Sequence, residues 1–147
     1  MDDQKAADRI RSLAGANPPR VGLILGSGLG ELANAISLFS TTSYKDLPGF
    51  PEPTISGHFG QLKIGTWSGI AIACLQGRSH LYEGHHIQQL AIPIRALKLA
   101  GCRVLVLTCA AGSLHDNMLP GELMLVTDHI NWSGLSPLVG SNDDGIG

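Results

Sequence analysis

Charge is scarce in this 147-residue sequence. Asp, Glu, Lys and Arg make up 15% of it, and ten basic residues nearly balance twelve acidic ones for a formal net charge of −2. No basic run occurs, which argues against a nucleic-acid partner held by phosphate neutralisation. Aromatic residues are only 5% of the chain. No apolar stretch approaches the roughly 20 residues of a membrane span, so no membrane partner is expected. The opening MDDQKAADRI is acidic and polar, the opposite of a secretory signal. Cysteine is limited to Cys74, Cys102 and Cys109, an odd set without CxxC spacing. These read as buried thiols of a reducing compartment, not as a disulfide frame or zinc site, and the expected location is cytoplasmic. HExxH, GxSxG, the Walker lysine and paired catalytic carboxylates are missing as well, which leaves metalloprotease, serine-hydrolase, P-loop and retaining-glycosidase chemistry without support.

Apolar residues, by contrast, make up 44% of the chain, far from the profile of a disordered polymer. A chain of this length buries roughly 70% of the surface its unfolded form exposes. Nineteen glycines and eight prolines gather at the ends of apolar runs, as they do at the connections of an α/β domain.

The periodicities predict a surface helix over residues 3–14, with Ala6, Ile10, Leu13 and Ala14 on one face and Asn17-Pro18-Pro19 ending it. The run VGLIL at 21–25 reads as a strand buried on both faces. Gly26-Ser27-Gly28-Leu29-Gly30 follows, and Leu29, Leu32, Ala33 and Ile36 have the spacing of a helix opening straight from that loop. The proline-rich LPGFPEPTISGHFG is a turn region. Residues 61–67 and 70–76 are β-type runs split by Ser68-Gly69, a hairpin signal. A helix is expected from residue 87 to about 101, with Pro93 marking a kink or a late start. Strands are predicted at 104–107 and 122–127. The order defines an α/β fold with a mixed central β-sheet flanked by helices. Ligands in such sheets collect beyond the carboxyl ends of strands, where 26–30, 77–83 and 108–112 all fall.

A glycine loop between a strand and a helix presents backbone N–H groups at a positive helix end, a setting for an anion, and Ser27 adds a hydroxyl. A tight turn that binds nothing has the same composition. The dinucleotide fingerprint GxGxxG fails at Glu31, and Asp46, near where a ribose-binding acid would fall, lies in the loop-like YKDLPG. In GRSHLYEG, Arg78 offers a fork of donors matched to phosphate oxygens. His80 and Tyr82 share its side if the segment is extended, Tyr82 presenting a flat face to a sugar. Glu83 is placed to orient a histidine or guanidinium. A solvated polar loop is the plain alternative. Histidines at 58, 80, 85, 86, 115 and 129 show no metal-ligand spacing, and no metal is expected.

Together, LILGSGLG ending at residue 30, FPEPTISGHFGQL (50–62), QGRSHLYEGH (76–85), VLVLTCAAGSL (104–114) and PGELMLVTDHIN (120–131) resemble the trimeric purine nucleoside phosphorylase family. The resemblance runs from about residue 20 to the end. It implies phosphorolysis of purine (deoxy)nucleosides to free base and (deoxy)ribose 1-phosphate, with phosphate as co-substrate, no cofactor, and a homotrimer for a complete chain. By the same resemblance, Ser27, His58, Arg78, Ser79, His80 and Ala110 are expected at phosphate and Tyr82 at ribose, with Glu83 and Cys109 supporting. No residue of this stretch is assigned as catalytic.

Two departures from the family stand out. Cys109 occupies a position that is usually asparagine, replacing a strong donor by a weak one. Family chains also run roughly twice this length, so residues 1–147 correspond to the N-terminal portion of one phosphorylase domain without the purine-holding half. The alternative is a non-catalytic remnant that binds phosphate or associates with full-length subunits.

Overall fold

The computed structural model describes residues 1–55 and 57–140. Helix α1 (Asp2–Ala14) is followed by strands β1 (Val21–Leu25), β2 (Ser37–Ser43), β3 (Gln61–Trp67) and β4 (Ile70–Gln76), then helix α2 (Ile87–Ala100) and strand β5 (Val104–Leu107). The five strands form one mixed sheet in the order β2-β3-β4-β1-β5. Strands β4, β1 and β5 are parallel, with Leu25 opposite Gln76 and Ile24 opposite Leu107. Strands β2, β3 and β4 form an antiparallel meander.

Alternation along the strands explains the core. Ile24, Ala73 and Leu75 point to one face, where Ala6, Ala7 and Ile10 of α1 and Ala96 and Leu97 of α2 cover them. Leu23, Leu25, Ile72 and Cys74 point to the other, against Ala33 and Ile36. Small residues on both helices let them pack closely on the first face. The β3–β4 turn is the expected hairpin at Ser68-Gly69, both residues having positive φ (50° and 78°), as a twist-matched two-residue turn requires.

Three expectations are corrected, and one strand is added. Helix α1 stops at Gly15 (φ 59°), whose N–H returns to the Arg11 carbonyl at 3.0 Å, before the prolines are reached. The segment after the glycine loop is a six-residue 3-10 helix, Gly30–Ala35, with no side-chain cap. It is too short to build a helix dipole, so the case for an anion here passes to side chains and loop N–H groups. Strand β2, SLFSTTS, carries no strand signal in the sequence. It is a largely exposed edge strand with an irregularity between Leu38 and Ser40, so no clean apolar alternation marks it. Residues 122–127 form no strand: among the described residues no strand pairs with them, and Leu123 and Leu125 are exposed. A strand pattern is realised only where a neighbour completes its hydrogen bonds.

Helix α2 runs unbroken through Pro93 from Ile87, its start supported by Gln89 Oε1 accepting from the His86 N–H at 3.2 Å. Among the described residues no helix is long and apolar enough to cross a membrane. Among the same residues no group of three or more His, Cys, Asp or Glu could hold a metal ion.

Candidate functional site

The parallel strands β4, β1 and β5 end side by side, so the segments leaving them meet. Gly26 measures how closely. A Cβ there would sit 2.5 Å from the Thr108 carbonyl oxygen, 3.1 Å from Arg78 Nη1 and 3.1 Å from Cys109 Cα. Only glycine lets the three strand ends converge. Thr108 then binds them together: its Oγ1 accepts from the Gly26 N–H at 2.8 Å and donates to the Ile24 carbonyl at 3.2 Å. Its carbonyl accepts from Arg78 Nη1.

The 50–60 segment crosses over this junction and delivers His58, which is buried. Its Nδ1 lies against the Arg78 backbone, 2.9 Å from the N–H and 2.7 Å from the carbonyl oxygen, while Nε2 lies 3.2 Å from Ser27 Oγ. Which ring nitrogen carries the proton decides whether Ser27 donates or accepts. This crossing requires Gly77 (φ 99°), where a Cβ would lie 2.8 Å from His58 Cα. Underneath, the buried Tyr44 hydroxyl donates to the Gly77 carbonyl at 2.6 Å, and burial pushes its pKa up.

Residues 81–83 form a 3-10 turn, not the extended segment predicted, yet the rings still gather. The His80 ring lies 5.1 Å from that of His58 and stacks on Tyr82 at 4.9 Å, with 17° between the latter two planes. Glu83 sits beneath this cluster with its side chain only 2% exposed. Its Oε1 accepts from the His80 N–H at 2.6 Å and from His80 Nδ1 at 2.9 Å. Its Oε2 accepts from the Thr54 N–H at 2.6 Å and the Thr54 hydroxyl at 2.7 Å. Burial alone raises a carboxyl pKa, but these four donors outweigh it and bring Glu83 down to about 2.

Ser27, His58, Arg78, His80, Tyr82 and Glu83 are thus drawn together by contact. Ser79 is not: its Oγ is enclosed by protein and has no hydrogen-bond partner among the described residues, so the hydroxyl does not open onto this cluster. Cys109 and Ala110 are exposed on the segment leaving β5. Cys109 is therefore not the buried thiol expected, unlike Cys74 and Cys102, whose thiols burial pushes up to about 11. Three structural contributors escaped the sequence reading: Thr54, Thr108 and Tyr44. Thr54 and Thr108 lie inside the stretches that carry the family resemblance, but no spacing rule marks a threonine that ties loops together.

A guanidinium, two imidazoles, a serine hydroxyl and a stacked tyrosine thus lie together where β1 and β4 end against the 50–60 segment. A model of the phosphorylase superfamily matches residues 20–146, and the chain belongs to that family. Among its relatives, purine nucleoside phosphorylase 1 of Bacillus subtilis is 44% identical over 129 residues, covering 88% of this chain and 48% of the relative. Purine nucleoside phosphorylase of Bos taurus is 43% identical over 132 residues, covering 88% and 46%. A solved structure of isoform 2 of the Schistosoma mansoni enzyme, in complex with cytosine and ribose-1-phosphate, superposes with a TM-score of 0.85 at 40% identity. It covers 99% of this chain and 52% of that one. The chain spans about half the length of the curated relatives it matches.

Proposed function

We propose that this chain contributes the phosphate cradle and part of the ribose site of a purine nucleoside phosphorylase. The reaction is phosphorolysis of a purine (deoxy)nucleoside to free base and (deoxy)ribose 1-phosphate. The observation that carries the reading is the convergence of Ser27, His58, Arg78 and His80 at the carboxyl ends of β4, β1 and β5. Arg78 presents its fork to phosphate oxygens, Ser27 supplies a further donor, Nε2 of His80 accepts from the hydroxyl of hydrogen phosphate, and the backbone N–H of Ala110, on the exposed segment leaving β5, adds one more donor. Tyr82 lies against the ribose. A phosphate oxygen bonds to the anomeric carbon while the glycosidic C–N bond breaks and its electron pair leaves with the purine. The bound dianion stabilises the cationic sugar that develops between the two events. Inorganic phosphate is the co-substrate, and no cofactor is required. The complete assembly is a homotrimer in the cytoplasm, a location supported by three free thiols.

The test is inosine cleavage by the purified 147-residue chain, with and without phosphate, paired with a calorimetric phosphate titration. Phosphate-dependent release of hypoxanthine and ribose 1-phosphate supports the enzyme. Phosphate binding without turnover supports the non-catalytic alternative, which the exposed apolar side chains of Leu123, Leu125, Ile130 and Trp132 favour as a module that associates with other subunits. Absence of phosphate binding overturns the phosphate-cradle reading and leaves only association with full-length subunits, which co-sedimentation with a full-length relative decides.

A further inference from the structure

We propose that Thr54 is a positioning residue for His80, acting through Glu83. The inference rests on the phosphate-cradle reading and extends it to a side chain outside the cradle. Glu83 is a carboxylate enclosed by protein, and each of its oxygens takes two donors. An enclosed carboxylate adopts one orientation only if donors fix both oxygens. His80 fixes Oε1, from its own backbone N–H and ring Nδ1. Oε2 is held entirely by Thr54, through backbone N–H and hydroxyl at 2.6 and 2.7 Å.

The consequence reaches the imidazole. An ionised carboxylate only accepts, so the 2.9 Å contact requires the proton to be on His80 Nδ1. That leaves Nε2 as an acceptor for the hydroxyl of a bound hydrogen phosphate, on a ring already stacked against Tyr82 and 5.1 Å from His58. Thr54 lies on the 50–60 segment that also carries His58, whereas Glu83 and His80 lie on the 80–83 turn. The Thr54–Glu83 pair therefore holds the two histidine-bearing segments at one separation. Without the hydroxyl, Oε2 keeps a single donor, the carboxylate gains freedom to rotate, and His80 loses its fixed tautomer and angle.

The experiment compares the full chain with Thr54→Val and Thr54→Ser. It uses phosphate titration by calorimetry and 15N spectra of histidine-labelled protein, which report the protonated ring nitrogen. Wild type should show His80 protonated on Nδ1. Thr54→Val should bind phosphate about tenfold more weakly, the scale of one charge-assisted hydrogen bond, and should show a mixture of His80 tautomers. Thr54→Ser, which restores the hydroxyl, should recover both readouts. A merely structural threonine would lower the melting temperature in Thr54→Val without changing the His80 nitrogen signature. If Thr54→Val does not fold, Thr54→Ala removes the same hydroxyl with less crowding. Unchanged phosphate affinity together with an unchanged His80 tautomer overturns the proposal. If wild type binds no phosphate, the cradle reading fails by itself. The tautomer comparison then still decides for or against Thr54.

Discussion

The Arg78 guanidinium and the Thr108 carbonyl are directly hydrogen-bonded, joining the segment that leaves β4 to the one that leaves β5 across the end of β1. Arg78 therefore closes the junction, and on the proposed reading it also faces phosphate. Arg78→Ala should weaken phosphate binding about ten- to a hundredfold, the worth of a charge-assisted pair. Arg78→Lys keeps the charge but loses the fork and should recover only part. Calorimetric titration with phosphate checks both; equal affinity in all three proteins removes Arg78 from the site.

Cys109 stands exposed beside this junction, its Cα close to Gly26. Replacing it by asparagine adds a strong donor and buries no unpaired amide. We expect Cys109→Asn to tighten phosphate binding with little change in melting temperature, and Cys109→Ser, with its shorter reach, to gain less. Phosphate titrations and thermal melts of the three proteins decide; no gain in affinity refutes a phosphate contact from this position.

Glu83 makes stability depend on acid. Its pKa is about 2 in the folded chain against an ordinary 4.5, so folding favours the ionised form. That contribution is fully present above about pH 4.5 and disappears as pH falls toward 2. Thermal melts between pH 2 and 6 should show the loss in wild type and a flatter profile, from a lower starting stability, in Glu83→Gln. Parallel profiles would show that the four hydrogen bonds do not hold the charge.

Ser79 has an enclosed hydroxyl without a partner. Removing an unsatisfied buried polar group relieves a desolvation penalty of about 1–3 kcal/mol. Ser79→Ala should accordingly raise stability, by an amount at the low end because it also leaves a small void, and should leave phosphate affinity unchanged. A lower urea midpoint would mean that the hydroxyl has a partner in solution.

Strand β5 lies at the sheet edge, with Val104, Val106 and Leu107 exposed. Such an edge pairs readily with another chain, and an edge lysine blocks it. The wild-type chain should self-associate in sedimentation velocity, and Val106→Lys should shift it toward monomer. Identical sedimentation of the two would clear the edge of that role.

Regular elements whose own residues carry the signal were legible from sequence. The β3–β4 hairpin has its turn residues, α2 its 3.6 period, and VGLIL its unbroken apolar run. Elements defined by their neighbours were not. SLFSTTS becomes β2 only because β3 lies beside it, and 122–127, with a better strand pattern, has no neighbour and stays irregular. The same division runs through the site. Arg78, His80 and Glu83 were visible as a dense polar segment, whereas Thr54 acquires its meaning from Glu83, 29 positions away along the chain. Ser79 illustrates the converse: it sits between two residues of the cradle, yet its hydroxyl is shut inside the protein.

The place of β1 in the sheet also orders events in time. Val21 pairs with Ile72 on one side and Val104 on the other, so the earliest strand to be made has only late partners. At roughly 5–20 residues per second, β1 and its glycine loop leave the ribosome several seconds before β5 exists. Until β4 is made, the apolar VGLIL segment has no sheet to join. Contacts so distant along the chain also make folding slow. The junction that closes over Gly26 can form only after Thr108 has been made.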